Sequence, residues 1–445
     1  MLVEALLQDP GALNSSLPLL VFGGGAAGVA CALTAVAMNR KVVFVEKEVE
    51  PFRTQEGVDT RWIDPVEFDW PQPHWRSGTL PGSAPILPLK AMRAADLAAS
   101  WKILYARVLR ANPNLLMPIR SDAFDWSVQP AAFGNGLVAY NRKDAAPPVG
   151  LTHCAAISCI GFRGEKTTVG STTGTRVQGP LFWGHDDLGA PDLGTGRSPT
   201  ATSEGTRLQA LVSGGGDGAM QDFVRLATGK MGRSLYDTMG LGGIERAPDM
   251  IEILSAEDAA RRAHTWTPAP QPMQAFSRWH DAYEALAERI WKLWETKGLV
   301  DEIIARTLRP EVSVTWVVGG KVPGYAYGLN RILAALVAWL VARRGSRPLA
   351  GSSKKLGEPE PECRPVIITD LKLKSLAAAD RHFCDGTCHA KPHYARLQRD
   401  LNAAGVDDYE TGVFDIVVIR HGVDQRPYLG SAAVSEQIMP FGFPA

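Results

Sequence analysis

The chain has 445 residues, 45% of them apolar and 21% charged, proportions that exclude wholesale disorder, a collagen-like repeat and a disulfide scaffold. Forty-seven Lys and Arg balance forty-seven Asp and Glu, so no global field draws the protein to nucleic acid or to anionic lipid. The length exceeds what one ordinary hydrophobic core serves and points to two domains.

Residues 1–14 carry Glu4 and Asp9 and lack the basic-then-apolar order of a signal peptide. Short apolar runs rich in Val and Ile predict strands at 19–22, 41–46, 153–160, 208–212, 250–254, 312–318, 366–369 and 414–419. Helical periodicity predicts helices at 26–39, 91–109, 220–227, 273–297 and 331–341. The last is about half of the ~20 residues that a bilayer span needs, so no membrane contact and a cytoplasmic location are expected. Unbroken apolar strands separated by helices suit a parallel sheet covered on both faces, and the fold class is α/β. Residues 124–128, 137–142 and 151–160 break the alternation as three successive strand candidates, and read as an antiparallel meander. Residues 187–205 and 343–365 are loop-like, and no repeat of fixed period is visible.

The first strand, Leu19-Leu20-Val21-Phe22, runs into Gly23-Gly24-Gly25-Ala26-Ala27-Gly28 and then into a helix of small residues. In such a turn Gly23 permits the sharp exit from the strand, Gly25 clears the approach of a pyrophosphate, and Gly28 lets the helix pack close to the sheet. The helix N-terminus, from Ala26 and Ala27, offers unpaired N–H groups to the phosphates. Glu46, followed by Lys47, closes the second strand twenty-three residues after Gly23, where a carboxylate accepts hydrogen bonds from a ribose diol. That carboxylate repels a 2′-phosphate, which leaves FAD or NAD as the ligand of this first site.

The Gly23 to Gly28 turn with Val45-Glu46-Lys47 resembles the opening of the flavoproteins with two dinucleotide-binding domains, the glutathione-reductase-like and flavin-monooxygenase-like superfamily. In that family the first fingerprint holds FAD and a β-meander follows. Ile157-Ser158-Cys159-Ile160-Gly161-Phe162-Arg163 is similar to the strand that leaves the FAD domain. The resemblance implies two Rossmann-like domains, the first with a β-meander. They are expected at 1–165, with later return segments left open, and at 208–445 with helical insertions, joined by a linker at 166–207.

The second domain opens with Leu208 to Val212 and Ser213-Gly214-Gly215-Gly216-Asp217-Gly218-Ala219. Gly214, Gly216 and Ala219 fit G-x-G-x-x-A, a variant of the same fingerprint, which makes this a second phosphate cradle. The resemblance implies NAD(P)H there. A rival assignment stays open, because the same flavoproteins carry a late Gly-Asp pair that binds the ribityl chain of FAD, and Gly216-Asp217 fits it. Lys321, Asn330 and Arg331, downstream of the strand at 312–318, are candidates to line the cleft.

Cys384, Cys388, His389 and His393 form the best zinc candidate, although their spacing matches no common finger. Cys154 and Cys159 have the C-x4-C spacing of the redox disulfide in glutathione-reductase-like enzymes. Within a strand they fall on opposite faces, so buried core thiols are expected instead. An aromatic, Pro-stiffened stretch with Trp62, Trp70, His74 and Trp75 reads either as a cover for a ligand ring or as a hydrophobic plug. His185 and His421 each stand beside charge as candidate proton donors.

These residues predict an FAD-dependent, NAD(P)H-linked oxidoreductase of monooxygenase or reductase type, acting on a small-molecule substrate or electron acceptor, with no catalytic acid or base identified. Two alternatives remain: a non-catalytic FAD/NAD-binding sensor or scaffold that presents a surface to a protein partner, and an NAD-only dehydrogenase.

Overall fold

The computed structural model describes residues 17–64, 70–71, 86–122, 125–130, 137–141, 151–160, 165–171, 176–190, 193, 207–244, 250, 253, 255, 273–320, 323–324, 326–345, 367–368, 372–378, 393–398 and 408–422. The chain divides into two compact units. The first comprises Met1–Ile63, Gly82–Gly164 and Asp424–Ala445, and the second Asp64–Pro81 and Glu165–Val423. Among the described residues no helix is long and apolar enough to cross a membrane.

In the first unit β1 (Leu19–Phe22) leads through α1 (Ala26–Ala37) to β2 (Val42–Glu46). A short antiparallel pair, β3 (Trp62–Ile63) and β4 (Met92–Arg93), precedes α2 (Ala94–Ala111) and β5 (Leu116–Arg120). The meander β6 (Trp126–Pro130), β7 (Leu137–Asn141) and β8 (Leu151–His153) follows, and then β9 (Ala155–Ser158). The parallel sheet has the order β5-β2-β1-β9, with Phe22 opposite Val45 on one side and Ser158 on the other. Strand alternation divides β1 cleanly. Leu19 and Val21 pack with α1 and α2, whereas Leu20 and Phe22 pack with Trp126, Val128 and Ala139 of the meander. Burying both faces explains why this strand is apolar throughout, each such side chain contributing roughly 1.5–3 kcal/mol.

The second unit repeats that topology. After the antiparallel pair β10 (Thr168–Ser171) and β11 (Arg176–Gln178), β12 (Leu208–Ser213) leads into α3 (Asp217–Thr228), α4 (Gly232–Thr238), α5 (Met273–Thr296) and α6 (Val300–Thr307) before β13 (Val312–Val317). Helix α7 (Gly328–Gly345) crosses to β14 (Ile367–Ile368). A second meander, β15 (Lys372–Ala378), β16 (His393–Gln398) and β17 (Asp408–Phe414), precedes β18 (Ile416–Ile419). The parallel order β14-β13-β12-β18 matches β5-β2-β1-β9 strand for strand. Leu208, Ala210 and Val212 face the helical layer, and Leu211 faces the other side with Val169, Leu373 and Phe414. The described chain therefore holds two copies of one nucleotide-type fold, a repetition invisible as a sequence period because the copies differ by the α4 to α6 insertion.

Several elements depart from the expected ones. Met250, Ile253 and Ser255 are helical, not a strand; a short apolar run does not distinguish the two periods, and the buried pair Met250 and Ile253 has helical spacing. In the stretch expected as a linker, 168–171 and 176–178 form strands. In the same stretch Asp186 is anchored by Arg225 Nη2 at 2.7 Å, with Asp222 also bonded to Arg225 at 3.2 Å, all three buried. β5 escapes an apolar-run search because it contains Pro118 and exposed residues, which only an edge strand tolerates.

His153 on β8 is fully buried, and neither ring nitrogen has a hydrogen-bond partner. Burial holds its pKa down at about 4. Because the folded value lies below the unfolded one, protonation favours unfolding: the stability held above pH ~6.5 is lost as pH falls from ~6.5 to about 4. Denaturant titrations across that window are expected to show a loss of up to about 3 kcal/mol in the unfolding of the first unit. His153→Phe should remove that pH dependence.

Candidate functional site

The turn after β1 is built by steric necessity. Gly23 has φ +100°, and a Cβ there would collide with the Cys159 carbonyl that follows β9. A Cβ on Gly28 would collide with the Gly23 carbonyl and stand 3.2 Å from Cys159 Cβ. Gly23 N–H donates to Val45 O at 2.8 Å and Cys159 N–H to Phe22 O at 2.7 Å, so both neighbouring strands hold the turn. Gly25 differs in kind: it has ordinary φ, caps α1 with no side-chain bond, and a Cβ built on it meets nothing within 4 Å. The space that its missing side chain leaves is open, and the first-turn N–H groups at Ala26 and Ala27 have no side-chain cap.

Glu46 stands beside this opening. Its Oε2 accepts from Gly24 N–H and its Oε1 from Glu48 N–H at 2.9 Å, leaving each oxygen a further lone pair for a ribose hydroxyl. The charge and burial together push the Tyr105 phenol up to about 12, burial being the larger cause. Phe52 N–H donates to Gly24 O at 2.7 Å, which folds the loop after β2 back over the turn. Lys47 points away, exposed, 3.9 Å from Glu48.

The turn after β12 is superposable in register on the first. Gly214 N–H donates to Val317 O at 2.9 Å and Arg420 N–H to Ser213 O at 2.7 Å, as Gly23 and Cys159 do. Gly214 has φ +142°, Gly216 caps α3 with no side-chain bond, and a Cβ on Gly216 meets nothing within 4 Å. Gly324 N–H donates to Gly215 O at 2.8 Å, matching Phe52 on Gly24.

Two substitutions separate the cradles. The position of Glu46 is taken by Val318, 1% exposed, whose Cγ1 would lie 3.2 Å from a Cβ on Gly215, so no carboxylate stands there. The position of Ala26 is taken by Asp217. Its carboxylate accepts from Tyr327 N–H at 3.0 Å, Asn330 Nδ2 at 2.9 Å and Gln221 Nε2 at 2.7 Å, while burial pushes its pKa up against those bonds. A Cβ on Gly218 would lie 3.1 Å from the Phe182 ring.

Asn330 is thus tied to Asp217, and Arg331 donates to Pro323 O at 3.3 Å and to Gly324 O, so both brace the loop over the second turn. His421 was not part of either fingerprint; its Nε2 lies 2.8 Å from Ser213 Oγ at the end of β12. His185 is exposed. Trp70 is a core side chain of the second unit, 6.4 Å from Tyr236 and 6.2 Å from Tyr283. Lys321, His74, Trp75, Cys384, Cys388 and His389 lie outside the described residues, as does the His393 side chain. Among the described residues no group of three His, Cys, Asp or Glu could hold a metal ion.

No protein-family model matches the chain, and no curated protein matches it. Solved structures do. Lactococcus lactis thioredoxin reductase is similar over 93% of this chain and 80% of its own, at 10% identity and TM-score 0.36. Bacillithiol disulfide reductase from Staphylococcus aureus is similar over 92% and 76%, at 8% identity and TM-score 0.38. Thioredoxin reductase from T. acidophilum is similar over 92% and 77%, at 11% identity and TM-score 0.33. With TM-scores this low, the two nucleotide-type folds are established by strand order and register within the chain itself.

The two glycines of the first turn have separable roles. Gly25→Ala is expected to leave the thermal midpoint of the ligand-free protein within ~1 °C while weakening FAD binding at least roughly tenfold, because a pyrophosphate bound at this turn would need that space. Gly28→Ala should instead cost on the order of 2–3 kcal/mol of stability in the same melts, through forced separation of α1 from β1.

Proposed function

We propose that the chain is an FAD-dependent, NAD(P)H-linked oxidoreductase acting on a small-molecule substrate or electron acceptor, with FAD at the first turn and NAD(P)H at the second. The carrying observation is the pair of register-matched turns, each with an open third glycine at an uncapped helix N-terminus. The residues present fit the groups. Gly25 and the N–H groups of Ala26 and Ala27 would take the FAD pyrophosphate, and Glu46 the adenosine ribose diol. Gly216 and Gly218 would form the second cradle with the first turn of α3. A bound flavin supplies the two-electron chemistry between nicotinamide and acceptor.

What the chain's own residues contribute is orientation. Glu46 is held by two backbone amides, so its remaining lone pairs have fixed directions before any ligand arrives. Asp217, committed to Tyr327, Asn330 and Gln221, is spent on bracing the second loop, which supports the reading of that loop as a cradle over its reading as a ribityl contact. With Val318 in place of an acid at the ribose position, the second cradle lacks the carboxylate that would reject a 2′-phosphate there, so NADPH is expected to serve at least as well as NADH.

The test is a visible spectrum of purified, FAD-reconstituted protein. Absorbance near ~450 nm that bleaches with NADPH is the expected result, and Glu46→Gln should weaken FAD binding roughly tenfold without altering the fold. Colourless protein that binds NADH and leaves it unoxidised would sink the enzyme reading in favour of a sensor.

A further inference from the structure

The C-x4-C pair is not a pair in the structure, because Cys154 and Cys159 flank opposite ends of β9. A different thiol neighbours Cys159. Helix α1 approaches the end of β9 so closely that Gly28 would place a Cβ 3.2 Å from Cys159 Cβ, and Cys31 lies one helical turn beyond Gly28 on the same face. The Cys31 and Cys159 side chains pack against the same core cluster, and each thiol perturbs the other's proton. Both are free and half-buried, within reach of a small reagent, whereas Cys154 is buried.

We propose that Cys31 and Cys159 are a redox modification site, at which a hydroperoxide converts the two thiols to a reversible disulfide across the base of the first Gly-rich turn. The two residues are 128 positions apart, far from the C-x4-C spacing of Cys154 and Cys159. The neighbouring thiols are also asymmetric: Cys159 draws the Cys31 thiol down against the effect of burial, while Cys31 and burial together push the Cys159 thiol up. Cys31 is accordingly the nucleophile and Cys159 the resolving group. The Cys31 thiolate attacks the distal peroxide oxygen, breaking the O–O bond; the alcohol or water leaves with a proton, and Cys31 becomes a sulfenic acid. Cys159 sulfur then attacks Cys31 sulfur and the sulfenic oxygen departs as water, taking the Cys159 proton. Two thiols and one hydroperoxide give one disulfide, one alcohol or water, and one further water.

The new bond joins α1 to the exit of β9, the two walls that meet at Gly23 and Gly28. It closes a long loop and so restricts the unfolded chain, and it fixes the spacing of the cradle. The link to nucleotide binding rests on the function proposed above; the disulfide itself does not.

Full-length protein treated with one equivalent of hydrogen peroxide, then alkylated and digested without reductant, provides the test. Mass spectrometry is expected to find a Cys31–Cys159 cross-linked peptide that dithiothreitol reverses, and a thermal midpoint raised by roughly 5 °C in the oxidised form. Cys31→Ser and Cys159→Ser should each abolish the cross-link, and Cys154→Ser should leave it intact. Should either serine variant fold poorly, differential alkylation of the unmodified chain, with both thiols protected together after peroxide, decides the same point. A cross-link through any other cysteine, stable sulfinic acid at Cys31 beside a free Cys159, or two thiols that stay alkylatable would overturn the proposal. A Cys31–Cys159 cross-link in protein that binds no FAD supports the pair and removes the flavin reading.

Discussion

Everything at the first turn depends on how near a helix can come to the strand that feeds it. Gly28 lies so close to the Gly23 carbonyl that any side chain would occupy the same space, and a side chain on Gly23 would likewise collide with the Cys159 carbonyl. Two absent Cβ atoms let α1 start directly above the sheet, so that its N-terminal N–H groups converge beyond the ends of β1 and β9. That point is where the strand order reverses, β2 and β5 lying to one side of β1 and β9 to the other, and open α/β sheets present their crevice at such a place. Gly25 then has the opposite requirement. Its missing side chain touches nothing in the protein, so packing gives no reason for it to be glycine, whereas the proposed pyrophosphate would.

The second unit shows which parts of this arrangement the fold demands and which a ligand demands. The positive φ of the first glycine, the backbone bonds to both flanking strands and the loop returning to the middle glycine's carbonyl recur in both units. They are backbone geometry and follow from the topology. The residues that differ are the ones a ligand would contact. A half-buried carboxylate at Glu46 becomes a buried valine at Val318, and Ala26 becomes Asp217. Ala219 stands where the first unit has Gly28, so the second turn accommodates a Cβ that the first excludes. Two copies of one scaffold have thus kept their turns and changed their specificity groups, which is the pattern expected when each receives a different nucleotide.

Much of this was legible in the sequence where local chemistry alone decides the outcome. The turn at Gly23 to Gly28, the acid at Glu46, the meander before β9 and the second glycine loop all follow from residue type and spacing. What was not legible depends on partners distant in the chain. β5 contains Pro118 and polar residues, and it is a strand because it pairs with β2 at the sheet edge. The sheet of β10, β11 and β15 to β17 joins segments about 200 residues apart, which no window along the sequence can see. Helicity at Met250 and Ile253 reflects their burial in the second unit's core, since a short apolar run fits either period. Cys31 escaped attention because a helical cysteine carries no signal until Cys159 is found beside it.

The missing carboxylate in the second unit has a consequence for how the two sites divide their work. A ribose-binding acid confers selectivity by repelling a 2′-phosphate and by holding two hydroxyls, and both effects are strong only where the acid is oriented before the ligand arrives. Glu46 meets that condition through Gly24 and Glu48. In the second unit the corresponding rigidity resides elsewhere: Asp217, Asn330 and Arg331 fasten the loop after β13 to the turn, with Gly324 bonded to Gly215. Selectivity there must come from that loop, because the floor beneath it is an apolar side chain that cannot distinguish a hydroxyl from a phosphate by charge. A rigid turn under a ligand-selective loop suits a nucleotide that arrives and leaves, whereas a fixed acid on the cradle itself suits one that stays. Under the proposed function, the first unit would on this physical ground seat the resident group and the second the one consumed.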